Sequence, residues 1–406
     1  MRRVVVTGIG AVTPLGYGAR TLFTSMKEGK SAVKRMPLWE EYAGLRSLIA
    51  APCELRNEKD IPRKFRRSMS PMSIMAAQAA DEAIADSGLN RDELSSGRSG
   101  CIIGSTMGSA KVINQAYETV LPEKDFSKLT SMMFFKCMSH SCSANLAQYL
   151  GLKGMVMATS AACASSLQAI GTAFDMIRSG RQDIIFCGGA EEIHPTVTGI
   201  FDLLYATSVN FNDSPERSPR PFDADRDGLV CGEGAGILIL EDYGHAVERN
   251  AEIYAEITGY FTNGSGEHVS QSDTPSMARC MNGALEDAGV SGDAVDYVNA
   301  HATGTLQGDA AEAAAVGGLF GGKVPVSSLK GYIGHTLGAS GAIELIASLQ
   351  MMKEGIVIPG GNLEEPAADC SGINLPVEVE EREISCLIKN GFAFGGVNAS
   401  LVCRKV

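Results

Sequence analysis

The sequence predicts an α/β protein made of two similar halves, residues 1–250 and 251–406, packed against each other. Three observations carry this expectation. Short apolar runs alternate with helical periodicities along the chain, the pattern of parallel-rich sheets covered by helices. One order of capped helix, strand and polar turn occurs twice. Finally, the charged stretch Val247–Glu252 separates the two copies, with no long linker or low-complexity segment.

The elements follow in parallel. Val4–Thr7 opens the first half and Ala255–Thr258 the second. Ser70-Pro71 starts an alanine-rich helix that stops at Gly88, and Thr274-Pro275 starts one that stops at Gly289. Each has a hydroxyl residue as N-cap, proline in the first turn and a glycine stop. The apolar runs Gly100–Gly104 and Ala294–Asn299 come next, and end in the small polar turns Ser105-Thr106-Met107-Gly108 and His301-Ala302-Thr303-Gly304-Thr305. Met155–Ala158 leads through Cys163 into a helix with Leu167, Ile170, Phe174 and Ile177 on one face. Val324–Val326 leads through Lys330 and His335 into one with Leu345, Ile346 and Leu349. Glycine-flanked strands, Gly234–Glu241 and Asn398–Arg404, close the halves.

Composition sets the class. The 406 residues carry 35 Lys+Arg against 47 Asp+Glu, a net charge of −12, with 45% hydrophobic and 20% charged residues. That is ample for large buried cores and argues against disorder and general nucleic-acid binding. The longest apolar stretches, such as Ile237–Leu240, fall far short of the ~20 residues of a membrane span. Arg2-Arg3 before Val4–Val6 imitates a signal peptide, but Gly8, Gly10 and Pro14 break the run and no small-residue cleavage site follows, so the reading is cytoplasmic. The 11 cysteines are scattered singly in apolar contexts, as in a reducing compartment. Cys137, His140 and Cys142 are too few at the wrong spacing for a structural zinc site, so no metal is expected. Gly8-Ile9-Gly10 lacks the third glycine of a dinucleotide fingerprint and runs into Thr13-Pro14 instead of a helix.

Cys163 sits where an apolar strand turns into a helix, among Ala161, Ala162, Ala164, Ser165 and Ser166. Such a turn lifts a side chain clear of the sheet, and a helix N-terminus favours the thiolate, so a nucleophile with a lowered pKa is expected there. A buried inert cysteine is the alternative. Of six histidines, His301 and His335 lie in strand-end turns of the second half and are the best acid/base candidates. His245 is expected at the surface, and His140 and His194 in core or turn positions. Lys330, among small and apolar residues, must reach solvent or pair with a carboxylate such as Glu344. Asn390–Asn398 reads as a hinged, aromatic-tipped loop or as a bulge in a core strand.

Together, the lone Cys163, Asn299-Ala300-His301-Ala302-Thr303-Gly304-Thr305, Lys330 with Gly334-His335-Thr336-Leu337-Gly338-Ala339-Ser340-Gly341, and Phe394-Gly395-Gly396-Val397-Asn398 resemble the β-ketoacyl-acyl-carrier-protein synthases, condensing enzymes of the thiolase superfamily. Val6–Gly16 and Pro221–Gly228 add to the likeness, which runs from Val4 to Val402. It implies a thiolase-like duplicated fold with a layered α-β-α-β-α core, and a decarboxylative condensation of an acyl chain held on Cys163 with malonyl-carrier. The resemblance gives the backbone N–H groups of Cys163 and Phe394 the oxyanion hole, and His301 and His335 the malonyl thioester oxygen. Lys330 would hold their electrostatics, through Glu344; Thr303 and Thr305 would contact the pantetheine arm; Phe394 would be the gate; Met107 would stand at the acyl-pocket wall. No cofactor is implied, the substrates being malonyl and acyl thioesters on the phosphopantetheine of an acyl carrier protein. A homodimer is implied, with a heterodimer as the alternative. Arg63, Lys64, Arg66 and Arg67, four cations in five residues, would dock the acidic carrier.

The chain departs from the family pattern at Ser160-Ala161-Ala162 before the nucleophile, at Ala302 after His301, and at Ala393 and Val397 around the gate. These departures point toward a specialised polyketide, polyene or lipid pathway. A non-catalytic chain-length partner would lose Cys163. A degradative thiolase would use a second cysteine as base, and the priming enzymes would have asparagine in place of His335.

Overall fold

The computed structural model describes residues 1–406. Ten strands form two five-stranded sheets: β1 (Val4–Thr13), β2 (Ser99–Gly104), β3 (Val156–Thr159), β4 (Ile184–Glu191) and β5 (Gly234–Asp242) in the first half, β6 (Ala255–Gly264), β7 (Tyr297–Asn299), β8 (Val326–Ser327), β9 (Cys386–Ala393) and β10 (Val397–Arg404) in the second. Their spatial order is β3-β2-β4-β5-β1 and β8-β7-β9-β10-β6, the same path twice. A three-residue antiparallel seam, Val4–Val6 against Ala255–Ile257, joins them.

The helices repeat as well: α1 (Pro71–Ser87), α2 (Ser141–Leu150) and α3 (Ser165–Arg178), then α4 (Thr274–Ala288), α5 (Leu306–Phe320) and α6 (Ser340–Glu354). Helices α3 and α6 touch strands of both sheets and form the middle layer, while α1 and α2 cover one outer face and α4 and α5 the other. This is the layered α-β-α-β-α fold. The faces that the sequence marked on α3 (Leu167, Ile170, Phe174, Ile177) and on α6 (Leu345, Ile346, Leu349) lie in one buried cluster with β1 and β5.

Three expectations need correction. The sheets are mixed: β2 pairs in parallel with β3 and β4, and β7 with β8 and β9, but β4–β5, β5–β1, β9–β10 and β10–β6 are antiparallel, since each half closes by folding its last strand back. Helix α4 is capped by Asp273, whose carboxylate accepts from Ser276 N, and not by Thr274; α1 is capped by Ser70 through Ser73 N. His245 is not free at the surface: it bonds the fully buried Glu241, which also takes Arg249 and Thr7.

The glycines of the opening strand serve packing. A Cβ on Gly10 would lie 2.0 Å from the carbonyl oxygen of Ala79, and one on Gly259 would lie 2.2 Å from that of Ala284. Only a residue without a side chain lets α1 and α4 approach their sheets so closely.

Candidate active site

Strand β3 ends at Thr159 and α3 begins at Ser165. Between them Ala162 takes a left-handed φ of 45°, a strained turn that aims Cys163 out of the sheet. Ser165 holds the turn: its hydroxyl accepts from Ala161 N (2.8 Å) and donates to Ala162 O (2.6 Å), while Thr159 Oγ1 donates to Ser165 O (2.8 Å). The small residues here also serve packing between the halves, because Ser166 Oγ accepts from Ala342 N at the start of α6 (3.1 Å).

The second half supplies the histidines. His335 is pinned through its backbone: its N–H donates to Val230 O (2.7 Å) and its carbonyl accepts from Gly232 N (2.8 Å). Its Nε2 lies 2.9 Å from Cys163 Sγ and its Nδ1 2.8 Å from Ser340 Oγ. The His301 ring stands edge-on to that of His335, with centroids 5.3 Å apart. Glu312 on α5 fixes the His301 backbone by accepting from the N–H groups of His301 (2.8 Å) and Ala302 (2.6 Å). Cys163, His301 and His335 face one cavity together with Thr303, Thr305 and Phe394.

Behind the histidines lies a buried charge cluster. Glu344 on α6 is shared by two ammonium groups, Lys330 Nζ at 2.7 Å and Lys389 Nζ at 2.6 Å, and all three side chains are 1% exposed or less. Burial lowers both imidazoles well below the usual histidine range, and the positive charges of Lys330 and Lys389 add to the effect. Both rings are therefore neutral at physiological pH and retain an N–H to donate.

The thiol reverses its sequence-based expectation. Burial pushes Cys163 up to about 12, against a smaller downward pull from Lys330, so the resting group is a thiol and not a thiolate. Sequence context shows the helix N-terminus but not the burial, and burial dominates. The donor atoms of Cys163, His301 and His335 lie within 4.8 Å of one another, a set that zinc accepts in principle. A buried thiol flanked by two neutral imidazoles suits a nucleophile with two hydrogen-bond donors.

The remaining predicted residues fall as follows. Phe394 stacks obliquely on Phe201, with centroids 6.0 Å apart, at the cavity wall. It does not tip a long hinged loop: Asn390–Ala393 belongs to β9, Val397–Asn398 to β10, and Phe394-Gly395-Gly396 is a tight turn with φ of 88° and 70° at the glycines. Ala393 is accordingly a buried strand residue. Thr303 and Thr305 hydroxyls lie 3.2 Å apart on the cavity wall. Met107 does not line this cavity and is 40% exposed in the single chain. Arg63, Lys64 and Arg66 form one short helix, with Arg67 at its end. Arg66 approaches Glu58 at 3.7 Å, and the other three are exposed. Sequence reasoning missed Lys389, Glu312 and Glu191. The signals were a charge inside the apolar run Cys386–Ala393, and an acid ending the apolar run Ile184–Glu191. Glu191 accepts from Thr106 N and Gly338 N, tying the Met107 turn to the His335 loop, and burial raises it to about 7.

Residues 1–246 match the family profile for the beta-ketoacyl synthase N-terminal domain, and residues 254–364 match that for its C-terminal domain. The chain belongs to the β-ketoacyl synthase family. It is 36% identical to 3-oxoacyl-[acyl-carrier-protein] synthase 1 of Escherichia coli (strain K12), covering 100% of both chains. It superposes on the crystal structure of a beta-ketoacyl synthase from Burkholderia phymatum STM815 with a TM-score of 0.96, at 43% identity and full coverage of both. The AntDE:AntF structure, a type II PKS acyl-carrier protein in complex with its ketosynthase bound to the hexaketide, gives a TM-score of 0.91 at 31% identity. That match covers 100% of this chain and 99% of the other.

Proposed function

We propose that this β-ketoacyl synthase joins an acyl chain, held on Cys163, to a malonyl unit on an acyl carrier protein, releasing CO₂ and a β-ketoacyl thioester of fatty-acid or polyketide type. The observation that carries this is the Cys163 Sγ–His335 Nε2 contact of 2.9 Å, with His301 edge-on beside it in one cavity. In the first step Sγ attacks the acyl thioester, the thiol proton passes by way of His335 to the departing pantetheine sulfur, and the acyl–Cys163 thioester forms. Backbone N–H groups of Cys163 and Phe394 stabilise the oxyanion. In the second, the His301 N–H and, once its proton has moved from Nδ1 to Nε2 and Ser340 Oγ donates to Nδ1, the His335 N–H hold the malonyl thioester oxygen as the C–CO₂ bond breaks, so the electron pair left behind becomes an enolate. The enolate carbon then attacks the acyl carbonyl and expels Cys163 as a thiolate, which takes a proton from solvent to restore the thiol. Carbon dioxide loss supplies the driving force, and no step calls for a metal or nucleotide.

An acyl carrier as partner is supported by the carrier complex of the similar AntDE:AntF ketosynthase; we assign Thr303 and Thr305, on the cavity wall, to its pantetheine arm, and the basic cluster Arg63, Lys64, Arg66 and Arg67 to its acidic surface. A homodimer accounts for β3, whose outer edge is unpaired and carries Val156 at 46% exposure. The cytoplasm suits 11 unpaired cysteines, and no helix is long and apolar enough to cross a membrane. The test is Cys163→Ala: condensation should vanish while the far-UV and near-UV spectra stay unchanged. Mass spectrometry of wild type incubated with acyl-carrier should place the acyl mass on the Cys163 peptide. Acylation elsewhere with Cys163 free overturns the reading.

A further inference from the structure

We propose that Lys389 is a positioning residue for the condensing reaction: by sharing Glu344 with Lys330, its ammonium group sets the charge felt by His301 and His335. The inference rests on the condensing function proposed above. Lys389 stands in β9, opposite Asn299 of β7 and Leu401 of β10. Its side chain is 1% exposed and ends in two contacts, Glu344 Oε2 at 2.6 Å and Asn390 O at 2.8 Å. Those partners take two of the three ammonium protons and fix the charge in one place.

The surroundings make that charge consequential. Glu344 Oε1 and Lys330 Nζ touch at 2.7 Å but at an angle that makes no directed hydrogen bond, so Glu344 is oriented by Lys389 and attracts Lys330 only as a charge. Asn390 continues the link: its Nδ2 reaches Glu312 Oε1 (3.4 Å), which holds the His301 backbone. The titratable groups that face Lys389 are Glu344 from α6, Lys330 from the short helix after β8, Glu312 from α5 and the two imidazoles, with Tyr297 of β7 facing Glu344. Two ammonium groups face two carboxylates. Removing Lys389 leaves one negative charge too many, in a site where an enolate anion must form. Lys389 is absent from the cavity wall, so the effect has to travel through Glu344, Lys330 and the field, and not through substrate contact.

Lys389→Met keeps the length of the side chain and removes the charge. Condensation should then fall about tenfold in kcat, with KM for the carrier substrates changed less than about twofold. With the positive charge gone, protonation of the imidazoles becomes easier. His335 loses its capacity to take the thiol proton at a higher pH, and the acid limb of the rate profile should move up by about one pH unit. Lys389→Arg keeps the charge and should return the acid limb to the wild-type position. Nitrogen-15 NMR titration of His301 and His335 reads the same shift without turnover, so an inactive wild type counts against the proposed reaction while the imidazole titration still judges Lys389. Unmoved imidazole titrations in Lys389→Met, or a loss carried by KM, overturn the proposal. Should Lys389→Met not fold, Lys389→Gln, which can still donate to Glu344 and Asn390 O, takes its place. Failure of both neutral variants to fold makes Lys389 a structural counterion and overturns the proposal too.

Discussion

Replacing Glu344 by glutamine should destabilise the protein in a pH-dependent way, because one carboxylate serves two fully buried ammonium groups at 2.7 and 2.6 Å. A unit charge pair at ~4 Å and an effective dielectric near 20 attracts by about 4 kcal/mol, but desolvation offsets much of that. Breaking a buried pair by removing one partner costs roughly 3–5 kcal/mol, the magnitude expected near neutral pH. The pH dependence follows from Lys389, which burial lowers to about 8 against the upward pull of Glu344. In wild type the folded protein sheds this proton above pH 8, and the unfolded chain sheds it near ~10.4. Between those values the unfolded chain binds more protons, so stability rises with pH, by up to about 1.4 kcal/mol per unit. Without Glu344 the folded-state value drops further and the rise begins at lower pH. The deficit of Glu344→Gln should therefore be largest near pH 6–7 and narrow toward pH 9. Guanidinium unfolding at fixed protein concentration, followed at pH 6, 7, 8 and 9, measures it. A deficit below about 1 kcal/mol, or one constant with pH, would refute the shared-counterion account.

Three further outcomes are expected. Gly10→Ala should cost about 1–3 kcal/mol or block folding, since its methyl meets the Ala79 carbonyl at 2.0 Å, whereas Gly318→Ala, on α5 with open space around it, should stabilise by about 0.5–1 kcal/mol; equal thermal shifts would contradict this. Arg66→Glu with Arg67→Glu should raise the KM for acyl-carrier substrate and leave turnover of a small pantetheine thioester near wild type; equal losses with both would mean that the patch supports the fold. Val156→Lys, on the free edge of β3, should shift the protein toward monomer by light scattering, and an unchanged dimer would move the interface elsewhere.

What the sequence discloses and what it hides divide along physical lines. The paired caps at Ser70 and Gly88, and the glycine stop at Gly289, are local signals, and they announced the duplication that the strand order repeats. Cys163, His301 and His335 stand out because they lie in strand-end turns rich in small residues, where α/β proteins place reactive side chains. The thiol's protonation was misjudged because it depends on burial by α6 and the His335 loop, which arrive from the other half. Lys389 and Glu344 lie 45 residues apart, and Glu191 and Gly338 lie 147 apart, so nothing in either neighbourhood names the partner. The opening glycines could be excluded as a dinucleotide site from the sequence, but their use, a groove for α1, shows only in the packing.

The seam between the halves also sets a schedule for biosynthesis. Strand β1 is buried along its whole length, yet its neighbours in the sheet are β5 and β6, and the Thr7–Glu241 bond spans 234 residues. At about 5–20 residues per second, a ribosome delivers Glu241 roughly 10 to 50 s after Thr7. For that interval β1 has only the two-residue strand Gly16–Tyr17 to pair with, and the helix Ala19–Lys27, whose Leu22, Phe23 and Met26 share its buried cluster, followed by α1, whose backbone at Ala79 and Ala83 closes on Gly10, are the first surfaces able to shelter it. Strand β1 thus precedes both of its long partners and completes its pairing only once the second half has begun to appear.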